Sequence, residues 1–264
     1  MTDSNPLVTV ITINRNDREG LKRTLESVLN EQALAPDELE YIVIDGASTD
    51  GSAELLADYA ARTDFRHRIS VWVSEADGGI YDAMNKGIAR ATGKLVGIIN
   101  SGDSLLPSAL AGLSDLHAEH PGAVLYGAFS VMKDGVFDWV QGFTASELPN
   151  KMIPHNASFV PRTLYETYGP YDTSYKVCAD YDLFLKLYTD GVPFAWINRI
   201  VCDYALGGLS DRAEQLRLSE SEAIQRKYGC YVEPGRKQKV KRAVKRLLKR
   251  LFFFLAGEGY GERQ

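Results

Sequence analysis

A chain of 264 residues, 45% hydrophobic and 25% charged, has ordinary globular composition and the length for one large domain with an appendage. Its net charge of −5 conceals a division: residues 236–255 carry nine Lys and Arg and no acid, leaving 21 basic against 35 acidic residues elsewhere, a balance of −14 that argues against nucleic acid as a partner. Three scattered cysteines without C-x-x-C spacing point to reduced thiols in a cytoplasmic setting rather than a disulfide frame or zinc site, and M-T-D-S-N-P, with no basic segment leading into an apolar one, leads us to expect a protein neither secreted nor integral to a membrane.

Leu7–Ile13 is β-branched and nearly continuous in apolar character, as a strand buried on both faces should be. Asn16 or Asp17 then caps a helix in which Leu21, Leu25, Val28 and Leu29 share a face. The pattern repeats with a strand at Tyr41–Ile44, a loop at Asp45–Gly51 and a helix at Ser52–Thr63. It repeats again with a strand at Ile69–Val73, the turn S-E-A-D-G-G and a helix at Ile80–Thr92. Leu95–Ile99 is a fourth strand, and Pro107 is expected to open the next helix. Such alternation implies an α/β fold with a mostly parallel central sheet flanked by helices.

The polar residues that follow these strands matter most. Asn14 and Arg15, Asp45 and Ser48, Glu75 and Asp77, and Asn100, Ser101, Gly102 and Asp103 should gather along one edge of a parallel sheet, where such folds bind ligands. Asp103 reads equally as a carboxylate for a divalent cation or as a helix cap. Neither G-x-G-x-x-G after the first strand nor G-x-x-x-x-G-K-[ST] occurs, which argues against a dinucleotide enzyme and a P-loop enzyme.

The second half changes character. Val124–Met132 and Val136–Val140 flank a Gly-containing turn and read as a hairpin, so this half should be mixed or antiparallel. Pro154–Pro161, Phe194–Ile197 and Ile200–Ala205 read as strands. In C-A-D-Y-D-L-F-L-K-L, Asp180 and Asp182 sit at the start of a helix, where spacing alone favours a cap over a catalytic carboxylate. Gly207, Gly208 and Ser210 suit a backbone that closes over a ligand, though linkers look the same. A polar helix over Arg212–Tyr228 should lie on the surface.

Taken together, V-T-V-I-T-I-N-R-N-D, I-V-I-D-G-A-S-T-D-G, S-E-A-D-G-G-I-Y-D-A-M-N-K-G, I-I-N-S-G-D and A-D-Y-D-L-F-L-K-L come in an order that resembles family 2 glycosyltransferases of the GT-A fold. The likeness is to bacterial enzymes of exopolysaccharide and lipopolysaccharide assembly of the colanic-acid type. It implies a nucleotide-sugar donor, UDP-linked, and hexosyl or N-acetylhexosaminyl transfer with inversion. On the matching positions it implies Asn14 and Arg15 under the base, Asp45 at the uracil edge, and Asp77, Gly78, Asn85 and Lys86 near the ribose and diphosphate. Asn100, Ser101 and Gly102 fall in the donor-binding loop, and Asp180 matches the catalytic base. A divalent cation, Mn²⁺ or Mg²⁺, is expected on Asp103, although the motif reads Asn-Ser-Gly-Asp where many members have Asp-x-Asp-Asp. His155, with Gly207, Gly208 and Ser210, is a candidate contact for acceptor or diphosphate; a structural role for His155 stands beside it.

Residues 1–230 are thus expected to form the transferase domain and 231–264 a tail. There Val240, Val244, Leu247, Leu248, Leu251, Phe252 and Leu255 share one helical face opposite Lys and Arg. Such a helix suits an anionic membrane surface, the inner face of the cell membrane, and hence a lipid-linked or growing glycan acceptor. Docking of its apolar face on the domain is the other reading. Two alternatives to transfer remain at this level: a sugar-phosphate nucleotidyltransferase, and a non-catalytic sugar-nucleotide-binding module.

Overall fold

The computed structural model describes residues 5–31, 33–133, 135–208 and 212–233. In chain order the main elements are β1 (Val8–Asn14), α1 (Arg18–Leu29), β2 (Leu39–Asp45), α2 (Ser52–Ala61), β3 (Val71–Ser74), α3 (Ile80–Ile88) and β4 (Leu95–Ile98). There follow β5 (Ser104–Leu105), α4 (Leu113–Glu119), β6 (Val124–Lys133), β7 (Val136–Gln141), β8 (Ser158–Pro161), α5 (Arg162–Tyr168), α6 (Ala179–Thr189), β9 (Phe194–Ala205) and a last helix, α7 (Glu214–Lys227).

These strands form one mixed sheet in the order β3-β2-β1-β4-β8-β6-β9-β5, with β7 paired to β6. β1 runs parallel to both β2 and β4, and β2 parallel to β3; β8 then enters antiparallel to β4. The reason is visible in β1, every residue of which is buried. Val8 and Val10 face one apolar layer with Leu21, Leu25 and Leu56, whereas Ile11 and Ile13 face another with Met84, Tyr81 and Phe184. The period of two thus serves two cores, and each fully buried Leu or Ile contributes about 1.5–3 kcal/mol.

Two glycines set how closely the layers approach. A Cβ on Gly87 of α3 would lie 2.5 Å from Ile11 Cγ2, so the glycine inside this helix lets it settle on β1. A Cβ on Gly97 of β4 would lie 2.7 Å from two ring carbons of Phe159, its register partner on β8.

Several expectations are corrected. Pro107 does not open a helix: Ser104 and Leu105 pair with Asp203 and Cys202, the Leu106 N–H donates to the Val201 carbonyl, and α4 starts only at Leu113. The two strands expected at Phe194–Ile197 and Ile200–Ala205 are one, β9, which passes Asn198 at φ 54° with a register shift opposite Ala128. The stretch expected as a strand from Pro154 begins as a 3-10 turn over His155–Ala157, and only Ser158–Pro161 joins the sheet. Among the described residues no helix is long and apolar enough to cross a membrane. Of the tail, residues 234–264, with the whole amphipathic stretch, lie outside the described residues.

Candidate active site

Because β1 to β4 are parallel, their C-terminal ends open onto one edge. Asn14 stands in register with Asp45, and Asp45 with Ser74. Asp45 is completely buried, and its carboxylate takes four hydrogen bonds: from Asn14 Nδ2 (2.8 Å), Ser48 Oγ (2.5 Å), Ser48 N (3.0 Å) and Ser74 Oγ (2.6 Å). Burial alone would raise its pKa, but these donors outweigh it and hold the carboxyl below the usual range. Asp45 therefore ties three strand ends together as a fixed anion. The Asn14 Oδ1 is buried without a hydrogen-bond partner.

Above this floor Arg15 reaches to 3.5 Å from Asp77 Oδ1, and Asp77 lies directly against Gly46 while accepting the Gly79 N–H at 2.9 Å. The Gly78 N–H donates to Asp82 at 2.9 Å. Lys86 is engaged by Glu75 (3.1 Å) and the Ala76 carbonyl (2.8 Å). Asn85 clamps the backbone of Tyr171, donating to its carbonyl at 2.8 Å and accepting its N–H at 2.9 Å. This joins α3 to the loop before α6.

The loop after β4 continues the edge. Its Ser101 N–H donates to the Ile13 carbonyl, and Thr24 of α1 accepts the Gly102 N–H and donates to the Asp103 carbonyl. Gly102 sits at φ +95°, a conformation that L side chains rarely adopt. The Asp103 carboxylate accepts from Ala205 N (2.9 Å) and Asn156 Nδ2 (3.2 Å). No group of three or more His, Cys, Asp or Glu that could hold a metal occurs among the described residues. A cation-binding role fits the local chemistry in one respect: Asp17, whose Oδ1 accepts the Gly20 N–H at the start of α1, has its Oδ2 3.4 Å from where a Gly102 side chain would begin, so a carboxylate borders this loop on its Gly102 side. Carboxylate oxygens are the donors Mg²⁺ and Mn²⁺ take.

Asp180 lies across from this loop, in the first turn of α6. Neither it nor Asp182 caps that helix, whose N-cap residue, Cys178, makes no side-chain cap. Instead Glu220 of α7 accepts the N–H groups of Lys176, Val177 and Cys178, and Lys227 of α7 bonds both oxygens of Asp182 at 2.8 and 3.0 Å. The polar helix lies on the surface as expected, with only Ile224 buried, and from there it straps the helix that carries Asp180. Its partners form a chain: Asn100 Nδ2 to His155 Nε2 at 3.0 Å, His155 Nδ1 to Asp180 Oδ2 at 2.8 Å, and Tyr81 Oη to Asp180 Oδ1 at 2.8 Å. Burial and the adjacent Asp180 push the Tyr81 hydroxyl well above its ordinary pKa, so it remains a donor.

His155 and Asp180 line a cleft of about 710 Å³ whose walls include Phe129, Phe143, Tyr204, Tyr231, Gln141 and Gln225. Aromatic rings beside amides suit a sugar with an apolar attachment. The structure brings Asn14, Arg15, Asp45 and Asp77 together at the C-terminal edge of β1 to β3, and joins Asn100 through His155 to Asp180, the latter two lining the cleft. Gly207 and Gly208 follow β9 just past Ala205, whose N–H meets Asp103; Ser210 lies outside the described residues. Tyr81, Asn156 and Glu220 were missed. Tyr81 stands inside the quoted I-Y-D-A-M-N-K-G segment, but Glu220 works across 42 residues and leaves no local signal.

The family model for glycosyl transferase family 2 matches residues 8–174. An uncharacterized glycosyltransferase of Mycobacterium tuberculosis is 33% identical over 218 residues, covering 80% of this chain and 79% of that protein. A PGL/p-HBAD biosynthesis glycosyltransferase of Mycobacterium bovis is 30% identical over 214 residues, covering 78% and 80%. Residues 1–349 of Staphylococcus aureus TarS in complex with UDP superimpose with a TM-score of 0.64 at 17% identity, over 88% of this chain and 68% of that one. The mannosyltransferase PcManGT of Pyrobaculum calidifontis, in complex with GDP-Man and Mn²⁺, gives 0.64 at 22% identity, over 88% and 66%. The chain belongs to glycosyl transferase family 2 and is a glycosyltransferase with the GT-A fold. The nucleotidyltransferase and non-catalytic readings fall away.

Proposed function

We propose that the enzyme transfers a hexosyl or N-acetylhexosaminyl group, with inversion, from a UDP-linked donor to a hydroxyl of a lipid-linked or growing glycan in cell-surface polysaccharide assembly. The observation that carries this reading is the position of Asp180: a buried carboxylate where the donor edge meets an aromatic-walled cleft, joined through His155 to the loop after β4. The fold neighbours are complexes with different nucleotides, UDP in TarS and GDP-Man in PcManGT, in keeping with a nucleotide-sugar donor, and the relative named for PGL/p-HBAD biosynthesis is in keeping with a role in glycan assembly; the choice of UDP rests on the buried Asp45.

On this reading the nucleotide lies over Asn14, Arg15 and the loop that Asp45 organises, with Asp77, Gly78 and Lys86 towards the diphosphate. The cleft orients the acceptor, and the Asp180 site draws off its proton as the oxygen attacks the anomeric carbon. A divalent cation, Mn²⁺ or Mg²⁺, would be held by Asp103 and would offset charge on the departing diphosphate. The tail from residue 231 would hold the enzyme on the anionic inner face of the cell membrane.

The test is a thermal-shift panel of UDP, GDP, dTDP and CMP with and without Mn²⁺ or Mg²⁺, followed by transfer assays with the matching donors. Selective, cation-dependent stabilisation by UDP is expected. No response to any nucleotide would remove the donor assignment.

A further inference from the structure

We infer that β7 is a second membrane contact: its exposed aromatic and aliphatic side chains enter the boundary between headgroups and acyl chains of an anionic bilayer, at the rim of the cleft and beside the point where the basic tail departs. This rests on the membrane reading of the tail proposed above and extends it to the folded domain.

The sheet gives the first observation. Among the described residues β7 pairs with β6 and with no other strand, so its outer edge is open. On it Val136 is 68% exposed, Phe137 58%, Trp139 43% and Val140 46%. Four apolar residues in a six-residue edge strand are a liability in water, where natural edges are blunted by charge or Pro. A contiguous apolar surface of this kind marks a contact.

The register tells what kind of contact it is. Directly opposed residues share a face of the sheet, and successive residues of β6 alternate between faces. Phe137 opposes Met132 and Val140 opposes Ser130, whereas Val136 opposes Lys133 and Trp139 opposes Val131. Phe137 and Val140 therefore stand on one face, Val136 and Trp139 on the other. Asp138, also exposed, falls in the register shift between them. A docked helix, or a second chain laid on the sheet, covers one face. Edge pairing with a second copy satisfies the backbone and leaves both apolar faces in water. A surrounding medium takes up both, and Trp and Phe are side chains that favour the membrane interface.

Position supplies the partner. Gln141, the last residue of β7, lines the cleft with Phe143, and so do Tyr231 and Val232, where the chain runs on towards residues 234–264. Val232 is itself exposed, as is Leu218 of α7 on the same wall. Nine Lys and Arg without an acid follow within residues 236–255. An apolar strand and a basic segment thus leave from one rim, and anionic lipid answers both. Its headgroups attract the charge, and the boundary below them takes Phe137, Trp139 and the two valines. Charge brings the chain to the surface; β7 then fixes how the domain sits there, with the cleft opening beside the bilayer where a lipid-linked sugar is presented.

The experiment measures cosedimentation of the full chain with vesicles of phosphatidylglycerol and phosphatidylcholine, and quenching of tryptophan emission by the same vesicles carrying brominated acyl chains. The variants are Phe137→Ser combined with Trp139→Ser, and Trp139→Tyr alone. The double variant should bind vesicles about 10-fold more weakly or worse, with the UDP-induced thermal shift of the wild type, since neither residue lies on the donor edge. Trp139→Tyr keeps an aromatic ring and should bind as the wild type does, yet lose most of the quenching. Should the double variant not fold, Trp139→Tyr decides. Wild-type vesicle affinity in the double variant, or undiminished quenching in Trp139→Tyr, would overturn the inference. So would acrylamide quenching of Trp139 that rises, without vesicles, on deletion of residues 236–264, since the tail would then cover this face. A dimer that the double variant dissociates while vesicle binding holds would give the face to a second copy, and overturn it likewise. A wild-type chain that binds no vesicle would overturn the membrane reading of the tail, and this inference with it.

Discussion

Glu220 accepts the backbone N–H of Cys178 at 3.0 Å, and with it the N–H groups of Val177 (2.9 Å) and Lys176 (2.8 Å). One carboxylate from α7 therefore satisfies the chain entering α6 and sets an anion at the N-terminus of the helix that bears Asp180. Replacing Glu220 by Ala strands those donors, at about 1–3 kcal/mol. Chemical denaturation should show that loss. Turnover should fall while UDP binding holds, because on the proposed reading the loosened turn lies on the acceptor side. Equal loss of UDP affinity would show instead that α7 supports the whole domain.

Asp45 makes stability depend on acid. Its folded-state pKa is depressed, because donors from Ser48, Ser74 and Asn14 outweigh burial. A depressed carboxylate contributes stability in full above its unfolded value of about 4 and loses it as pH falls through the lower folded value. Asp45→Asn should cost about 1–3 kcal/mol near neutrality. The gap in melting temperature between wild type and variant should narrow below about pH 4. A gap that stays constant to acid pH would mean the carboxylate's charge contributes nothing.

The loop after β4 allows a test by addition as well as removal. Gly102→Asp places a side chain at φ +95°, a strained conformation, with its Cβ 3.4 Å from Asp17 Oδ2. In chelator it should be less stable than wild type by about 1–2 kcal/mol from backbone strain alone. Mn²⁺ should recover part of this, since a further oxygen ligand joins Asp103. Asp103→Ala should abolish any cation dependence of the UDP response. If Gly102→Asp responds to Mn²⁺ no more than wild type does, the cation is not held at this loop.

Much of this architecture was legible because it is periodic. β1 and β2 announce themselves as apolar runs buried on both faces, and four polar loops in succession mark the edge where Asn14, Asp45, Asp77 and Asn100 end up. The second half was less so. β9 looked like two strands because Asn198 interrupts its pattern, yet a single residue at φ 54° is absorbed by a bulge once β6 runs alongside. β5 is two residues long and exists only because Cys202 and Asp203 pair with it. Helix spacing favoured capping for Asp180, because no local rule reveals that Glu220, 42 residues on, satisfies those N–H groups. The same limit hid the His155–Asp180 contact, made across 25 residues.

The tail offers the last prediction, from charge. Residues 236–255 carry nine basic side chains, whereas the rest of the chain is at −14. An anionic bilayer should therefore repel the body and attract the tail, at about 1 kcal/mol for each Lys or Arg near the headgroups. The apolar face from Val240 to Leu255 would add its own burial at the acyl boundary. Removing residues 236–264 should abolish sedimentation with phosphatidylglycerol vesicles while leaving the UDP-induced thermal shift unchanged. Raising the salt should weaken vesicle binding of the full chain, because exposed charges are screened within about 10 Å at 0.1 M. Vesicle binding that survives the deletion would refute the membrane role of the tail. Loss of the UDP shift on deletion would indicate that its apolar face docks on the domain.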